Sequence, residues 1–459
     1  MGMRTIVHAT PNYLIYLIEA LRAKLLDSSF LARHRVRPED FTRQCQLTFP
    51  VLMLFVLQQT VKSIQRHLHE FLDDLAQGQL FEPVTSGAVT HARAKLKESA
   101  FIELNRQCLL PTIYGPEHHL QRWREHRLFG VDSSLLRLPD SQELGKQYGW
   151  KEASNQKGAT GTRYPEGRLS VVYDLLNRVG LDAQLEPSTM GEVQLAMQQI
   201  QQLEQLKLLQ AGDVLINDRG FTGYIYLASL LQRNLDFIGR CSTGSFLAAQ
   251  EMFGLNRAKR SQVVWLFASS KQKALCRSLG LPLKMKVRFV SLRLPSGELE
   301  VLVTSLLDEA LYPTSEFLTV YHWRWEHETF HLMLKSRLEL ENFSGRTPEA
   351  VRQDLQAAVL LANLESVLSE PAQAALNEQS TPEAQPRQIN RANSYHALKD
   401  QVLDLLYRDI PAASVIRKLM KLFSGSPVIV RSQRKGRKRG RMSYNRSYHF
   451  ERRVKKTVF

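Results

Sequence analysis

In the middle of the chain, only two strand-like apolar runs are closed by an aspartate, and they restrict what the chain can fold into. One is Arg127-Leu128-Phe129-Gly130-Val131-Asp132-Ser133-Ser134, resuming through Leu135, Leu136 and Leu138; the other is Asp213-Val214-Leu215-Ile216-Asn217-Asp218-Arg219-Gly220. Around them strand and helix periods alternate. Leu169 to Leu175 and Leu181 to Leu185 read as a hairpin about Asn177-Arg178-Val179-Gly180. A helix is predicted over Glu192 to Leu209, another over Tyr224 to Gln232, and a strand over Asp236 to Cys241. This alternation specifies the α/β class, a mixed sheet with helices on its faces. Ligands in open α/β sheets gather at the carboxyl ends of strands, which is where Asp132 and Asp218 fall. Each alone serves equally well as a turn or cap residue. To share a ligand, their strands must be neighbours.

A third carboxylate comes from Tyr321-His322-Trp323-Arg324-Trp325-Glu326-His327-Glu328-Thr329-Phe330-His331-Leu332-Met333-Leu334-Lys335. Read as one helix, it places Tyr321, Arg324, Glu328 and Lys335 within an arc of about 60°. A carboxylate flanked by cations suits a divalent metal beside phosphate: the carboxylate binds the ion while Arg and Lys take phosphate oxygens. The alternative is a solvated face laced with i,i+4 ion pairs. Asp132, Asp218 and Glu328 together are an oxygen-donor set for two hard cations.

At these residues the sequence resembles the DDE transposases of bacterial insertion sequences, in the branch marked by a Tyr-x2-Arg-x3-Glu-x6-Lys signature (insertion-sequence family four). Tyr321, Arg324, Glu328 and Lys335 fill that signature without a gap; Asp218-Arg219-Gly220-Phe221 is similar to the second acidic motif. Val131-Asp132-Ser133-Ser134 resembles the first, in which the residue after the Asp is more often Gly, and Val301-Leu302-Val303-Thr304-Ser305 is family-like too. The resemblance runs from about 84 to 370. It implies a ribonuclease-H-like catalytic domain with an all-β insertion. It also implies that Asp132, Asp218 and Glu328 hold two Mg²⁺ (or Mn²⁺), while Tyr321, Arg324, Lys335 and Arg219 grip DNA phosphates near the cut. The activity implied is cut-and-paste transposition: binding of terminal inverted repeats, cleavage to a 3′-OH, and joining to target DNA. The partners implied are double-stranded DNA and a second copy of the chain in a synaptic homodimer. In the family an aromatic on the last strand of the insertion stacks on a flipped base. Here that place is Glu300, and Trp265 is the substitute to weigh against a core Trp.

A competing motif overlaps the same glutamate. His327-Glu328-Thr329-Phe330-His331 is H-E-x-x-H, in which two His one helical turn apart bind zinc and the Glu acts as base, with Glu349 or Glu365 as third ligand. That zinc-peptidase reading sets Arg324 and Lys335 beside a cationic metal and leaves Asp132 and Asp218 unused. A catalytically inactive DNA-binding remnant of a mobile element is the other alternative.

Charge bears on partners. Of a formal +16, the segment from Pro427 to Phe459 holds +11, twelve Lys or Arg against Glu451 alone, with Tyr444, Tyr448 and Phe450 interleaved. Such a tail neutralises phosphates and stacks on bases with steep salt dependence, or is simply a solvated tail. The amino-terminal part reads as helical, with apolar stripes from Tyr13 to Leu26 and Phe49 to Leu72. Near its end Val84 to Leu96 is capped and basic and resembles a DNA-reading helix. Arg93, Lys95 and Lys97 are placed for phosphates, Thr90 or His91 for a base edge. Cys45, Cys108, Cys241 and Cys276 lack C-x-x-C spacing, so neither a zinc knot nor a disulfide framework is indicated. The run Phe49 to Leu57 is too short to span a bilayer and no signal-peptide pattern is present, so no membrane partner and a cytoplasmic location are expected.

The resulting plan has a helical amino-terminal DNA-binding domain (1–118) and a catalytic domain (119–369) with the β-rich insertion at 242–312. A linker (370–396) rich in Pro, Ala, Gln and Glu follows, and then a helical and basic carboxy-terminal segment (397–459).

Overall fold

The structure is a computed structural model that describes residues 11–43, 45–58, 62–116, 120–155, 158–254, 260–336, 340–379 and 385–430. The basic residues from Arg431 onward lie outside the described residues. The chain forms two compact units, one of Met1–His119, Arg137–Glu166 and Met333–Phe459, the other of Leu120–Leu136 and Gly167–Leu332.

Nine strands make the main sheet: β1 (Leu128–Arg137), β2 (Trp150–Asn155), β3 (Gly158–Asp174), β4 (Val179–Pro187), β5 (Val214–Asn217), β6 (Asp236–Arg240), β7 (Ser261–Phe267), β8 (Lys284–Arg293) and β9 (Leu299–Thr304). In the second unit the order is β4-β3-β1-β5-β6-β9-β8-β7. The strands β1, β5 and β6 are parallel. Every residue of β5 is buried, as the unbroken run Val-Leu-Ile-Asn requires of a strand covered on both faces. The helix Tyr224–Gln232 carries the chain from β5 to β6 as a βαβ crossover. Antiparallel β3 and β4 form the expected hairpin, with Arg178 in the left-handed region at φ 57° in its turn. This is a mixed α/β unit with a large mixed sheet, as the alternating pattern requires.

One expectation needs correcting. The stretch 242–312 is not an all-β insertion set apart from the sheet. β9 pairs antiparallel with β6, Ile238 opposite Thr304, and β8 and β7 follow outward. Helices Leu247–Phe253 and Ser270–Ser278 lie between the strands. The open edge of β6 would otherwise expose a row of unpaired backbone groups. Val301, Leu302 and Val303, all with 0% exposure, close it with a core strand.

The first unit is built from both ends of the chain. Helices Asn12–Leu26, Phe49–Leu57, Ile64–Ala76 and Ser86–Arg93 join the long Pro348–Glu378, with Arg391–Asp400 and Ala412–Ser424. Arg22 Nε donates to the carbonyl of Leu405 at 2.8 Å, an example of the joinery. A separate amino-terminal domain ending near 118 is therefore not what forms. Nor does a linker start at 370. The helix runs through Pro371 to Glu378, because the surrounding Ala, Glu, Gln and Leu favour helix strongly enough to absorb one Pro. The hairpin of β2 with the first half of β3, Trp150 opposite Pro165, also belongs to this unit.

Candidate active site

Register brings the two aspartates together. Leu128 pairs with Val214, Phe129 with Leu215 and Gly130 with Ile216. The same offset carried two residues further sets Asp132, midway along β1, level with Asp218, the residue just past the end of β5, where the pairing of the two strands has stopped. At the amino ends, the same offset joins Arg127 to Asp213: Nε donates to Oδ1 at 2.8 Å and a terminal nitrogen to Oδ2 at 2.5 Å, with both side chains buried. This bidentate pair pins the register that the acids depend on.

The third acid arrives on the helix Trp325–Ser336, and here the geometry departs from the sequence reading. Tyr321 and Glu328 are not on one continuous helix. A first helix, Phe317–His322, ends, and Trp323 and Arg324 make a turn before the second begins. Successive i to i−3 bonds, Arg324 N to Tyr321 O at 3.1 Å and His327 N to Arg324 O at 3.0 Å, tighten the chain there. Tyr321, Arg324 and Glu328 nevertheless converge. Arg324 is buried, its guanidinium lies over the Tyr321 ring at 5.7 Å, and it donates to Glu328 Oε1 at 2.8 Å. The Tyr321 hydroxyl donates to Asp218 Oδ1 at 3.4 Å, a long contact. Lys335 lies in the last turn of the second helix and belongs to the other compact unit.

Charge at this site is uneven. Burial, the nearby carboxylates of Glu328 and Glu192 adding to it, pushes Asp132 up to about 6, against the Ser133 N–H and Arg324, which pull it down. Tyr321 is pushed up by burial and by Asp218 and Glu300. The charge on Arg324 is reinforced by Tyr321, Asp218 and Glu328 against the cost of its burial. Arg324 thus sits in the combined field of Asp132, Asp218 and Glu328.

Several neighbours were not singled out from the sequence. Arg168 donates to Ser133 Oγ at 3.0 Å and to Glu192 at 2.6 Å, tying the residue beside Asp132 to β3 and to the start of the helix Glu192–Gln205. Arg240 pairs with Glu300 at 2.6 Å. Glu300 is buried, which raises its pKa, while Arg240, Arg219 and Arg324 oppose the rise. The position implied for a base-stacking aromatic therefore holds a carboxylate facing three arginines. The signal for Arg240 was its place at the end of the strand next to β5. Trp265 is 51% exposed on edge strand β7, with Lys284 Nζ 5.1 Å from its ring centre, so it is not core. Arg219 is exposed beside Asp218.

The imidazoles of the H-E-x-x-H motif face β1. A Cβ at Gly130 would lie 3.0 Å from His327 Nδ1, so the glycine is what lets this helix approach the strand. Tyr173 stacks on His327 with centroids 5.7 Å apart and planes 7° from parallel. Burial, with His331 and Arg324 adding to it, drives His327 well below its ordinary pKa, so the ring is neutral. The third ligands weighed for a peptidase are engaged elsewhere: Glu349 accepts from Arg352 at 2.7 Å, and buried Glu365 accepts from Ser394 Oγ.

One assigned DNA contact is lost. Arg93 is 4% exposed; it donates to Asp354 at 2.7 Å, to the Ala350 carbonyl at 2.6 Å and to Gln353 at 2.9 Å. It fastens the helix Ser86–Arg93 to the long helix Pro348–Glu378 and has no surface left for phosphate. Lys95, Thr90 and His91 are exposed on the same segment. Lys97 is half-buried and donates to the Arg33 carbonyl at 3.2 Å.

A family model, the transposase DDE domain, matches residues 123–364, more than half of the chain. The chain belongs to that family, whose members are metal-dependent DNA transposition enzymes. No curated protein matches the sequence. Among solved structures, the piggyBac transposase synaptic complex with hairpin DNA is similar at 11% identity, covering 90% of this chain and 82% of that one, with a TM-score of 0.42. The Mos1 transposase paired-end complex with the left transposon end is similar at 12% identity, covering 50% and 76%, with a TM-score of 0.17.

Proposed function

We propose that the chain is a cut-and-paste transposase of the Tyr-Arg-Glu-Lys signature branch, with a ribonuclease-H-like catalytic unit. It would bind the terminal inverted repeats of an insertion sequence, cleave them to free a 3′-OH and join that end to target DNA. The observation that carries this reading is the β1–β5 register, which levels Asp132 with Asp218, together with the ion pair that brings Glu328 onto Arg324.

The donor set fits a pair of hard divalent ions: three carboxylates, two of them on or just past adjacent parallel strands, offer oxygen ligands and no thiolate. Two Mg²⁺, or Mn²⁺ in their place, would supply an activated attacking oxygen and charge neutralisation at the leaving one. The chain's own residues do the rest. Asp132 and Asp218 would hold the ions, and Glu328 would join them once it releases Arg324. Arg324, so released, would take a phosphate oxygen, and Arg219 and Lys335 are each proposed as further phosphate contacts. Tyr321 positions Asp218 through its hydroxyl. Lys95 and the basic segment beyond Arg431 are phosphate contacts that orient the duplex rather than read it. Two copies of the chain would hold two element ends in the synaptic complex.

The test uses a duplex carrying the element's own end. Asp132→Asn, Asp218→Asn and Glu328→Gln should each remove Mg²⁺-dependent cleavage and leave end binding in place. Cleavage surviving any one of them removes that residue from the triad. An inactive remnant would bind ends without cutting them even when unaltered.

A further inference from the structure

The H-E-x-x-H spacing sets two imidazoles one helical turn apart, and strand β1 supplies a third donor that the sequence does not show to be near. One ligand atom from each of Asp132, His327 and His331 lies within 4.8 Å of the others. The rings of His327 and His331 are 4.9 Å apart between centroids. His327 is 1% exposed, and its Nε2 has no hydrogen-bond partner among the described residues. A buried polar atom in that condition is costly unless something binds it. The stacked Tyr173 ring and the bare Cα of Gly130 hold this imidazole in place.

We propose that Asp132, His327 and His331 bind a divalent transition ion of the zinc class, and that this ion restrains DNA cleavage by drawing Asp132 away from the Mg²⁺ pair. The restraint rests on the reading of Asp132 as a catalytic ligand; the site itself does not. Two imidazole nitrogens and one carboxylate suit Zn²⁺ or Co²⁺, whereas Mg²⁺ takes oxygen donors and keeps its waters. The glutamate between the two histidines is turned to Arg324, so it is not placed as the base of a zinc peptidase. A zinc-class ion and a magnesium pair then compete for one carboxylate, and the free zinc level sets how much of the enzyme can cut.

The experiment titrates Co²⁺ into the metal-free full chain, following its visible absorption, and then adds Zn²⁺ or excess Mg²⁺. One equivalent of Co²⁺ should bind, yield to Zn²⁺ and resist Mg²⁺. His331→Ala should weaken cobalt binding about a hundredfold or more, since loss of a ligand costs at least as much as loss of a second-layer partner. Zinc should also inhibit Mg²⁺-dependent cleavage by the unaltered protein. Glu328→Gln should keep the cobalt site while losing cleavage, which separates this proposal from the three-carboxylate reading. Because His331 is buried, zinc-edge X-ray absorption on the unaltered protein provides a second arm, with two imidazole scatterers expected. An all-oxygen shell, or unchanged cobalt affinity in folded His331→Ala, overturns the site. Cleavage indifferent to bound zinc overturns the restraint.

Discussion

The same two strands end in opposite ways. At the amino ends of β1 and β5, Arg127 and Asp213 meet in a buried bidentate ion pair; five residues on, the same register leads to Asp132 and Asp218, neither of which has a cation opposite it on the other strand. At the first end a buried charge meets its opposite, and backbone groups of Leu208 and Gln210 complete the pair. The second leaves Asp132 pushed up to about 6 by burial, with Glu328 and Glu192 adding to it, and relies on Arg324 to hold the acids together. One end of the strand pair secures the architecture, and the other gathers the acids to which the chemistry is proposed to belong.

If the carboxyl ends carry the reaction, the largest effect is on rate. Removing the charge of Asp132, Asp218 or Glu328 should lower Mg²⁺-dependent cleavage by roughly 10³-fold or more, the equivalent of several kcal/mol of transition-state stabilisation. Single-turnover cleavage of pre-bound ends reads this without interference from binding. A tenfold loss or less would mean that the residue is not a metal ligand.

The amino ends should respond in stability instead. Arg127→Ala leaves Asp213 buried without its partner and should cost about 3–5 kcal/mol. Urea unfolding measures it, and the protein that remains folded should still cleave. A cost below about 1 kcal/mol would break the contrast between the two ends.

The pH dependence sharpens it further. An unfolded Asp ionises near 3.8 and the folded Asp132 near about 6, so the unfolded chain gives up its proton first. Stability of the metal-free protein is therefore lost as pH rises through that window, and the loss is complete above it. Asp132→Asn removes the loss. It should stabilise the metal-free protein by on the order of 2 kcal/mol above pH 6, and by nothing near pH 3. Unfolding in the presence of a chelator at pH 7.5 and at low pH reads both. Destabilisation at neutral pH would show that the site is not strained.

The smallest effect belongs to the exposed rim. Arg219→Gln should leave stability within about 0.5 kcal/mol and weaken cleavage at limiting DNA by about tenfold, the loss of one charged phosphate contact. An unaltered salt slope of binding would take Arg219 out of the interface.

What could be read from the sequence follows physical locality. The apolar run closed by Asp218, the turn near Asn177 and the helix Tyr224–Gln232 are each local patterns, and they fall where expected; the run before Asp132 does not close there, because β1 continues through it to Arg137. The pairing of β9 with β6 is not local: Leu299–Thr304 reads as a strand, but nothing in its period names its partner. Arg93 failed for the same reason, since a basic residue on a short helix looks solvated until Asp354, far along the chain, is seen against it. The spacing of Arg324 and Glu328 is enough to pair them, yet the turn that aims Arg324 has no local mark, because Trp323 and Arg324 bring no Gly or Pro to signal a break. The meeting of His327 and His331 with Asp132 left one clue, a glycine at 130 where a strand lets a helix come close.

The central claim is that Asp132, Asp218 and Glu328 form one oxygen-donor site where β1 and β5 part. The most direct measurement is anomalous scattering from crystals of the full chain with an element end and Ca²⁺, a hard ion that avoids imidazole. The account predicts two Ca²⁺ roughly 4 Å apart, bridged by Asp132 and flanked by Asp218 and Glu328. Calcium bound without Asp218 and Glu328, or the three carboxyl groups spread over more than about 10 Å, would contradict it.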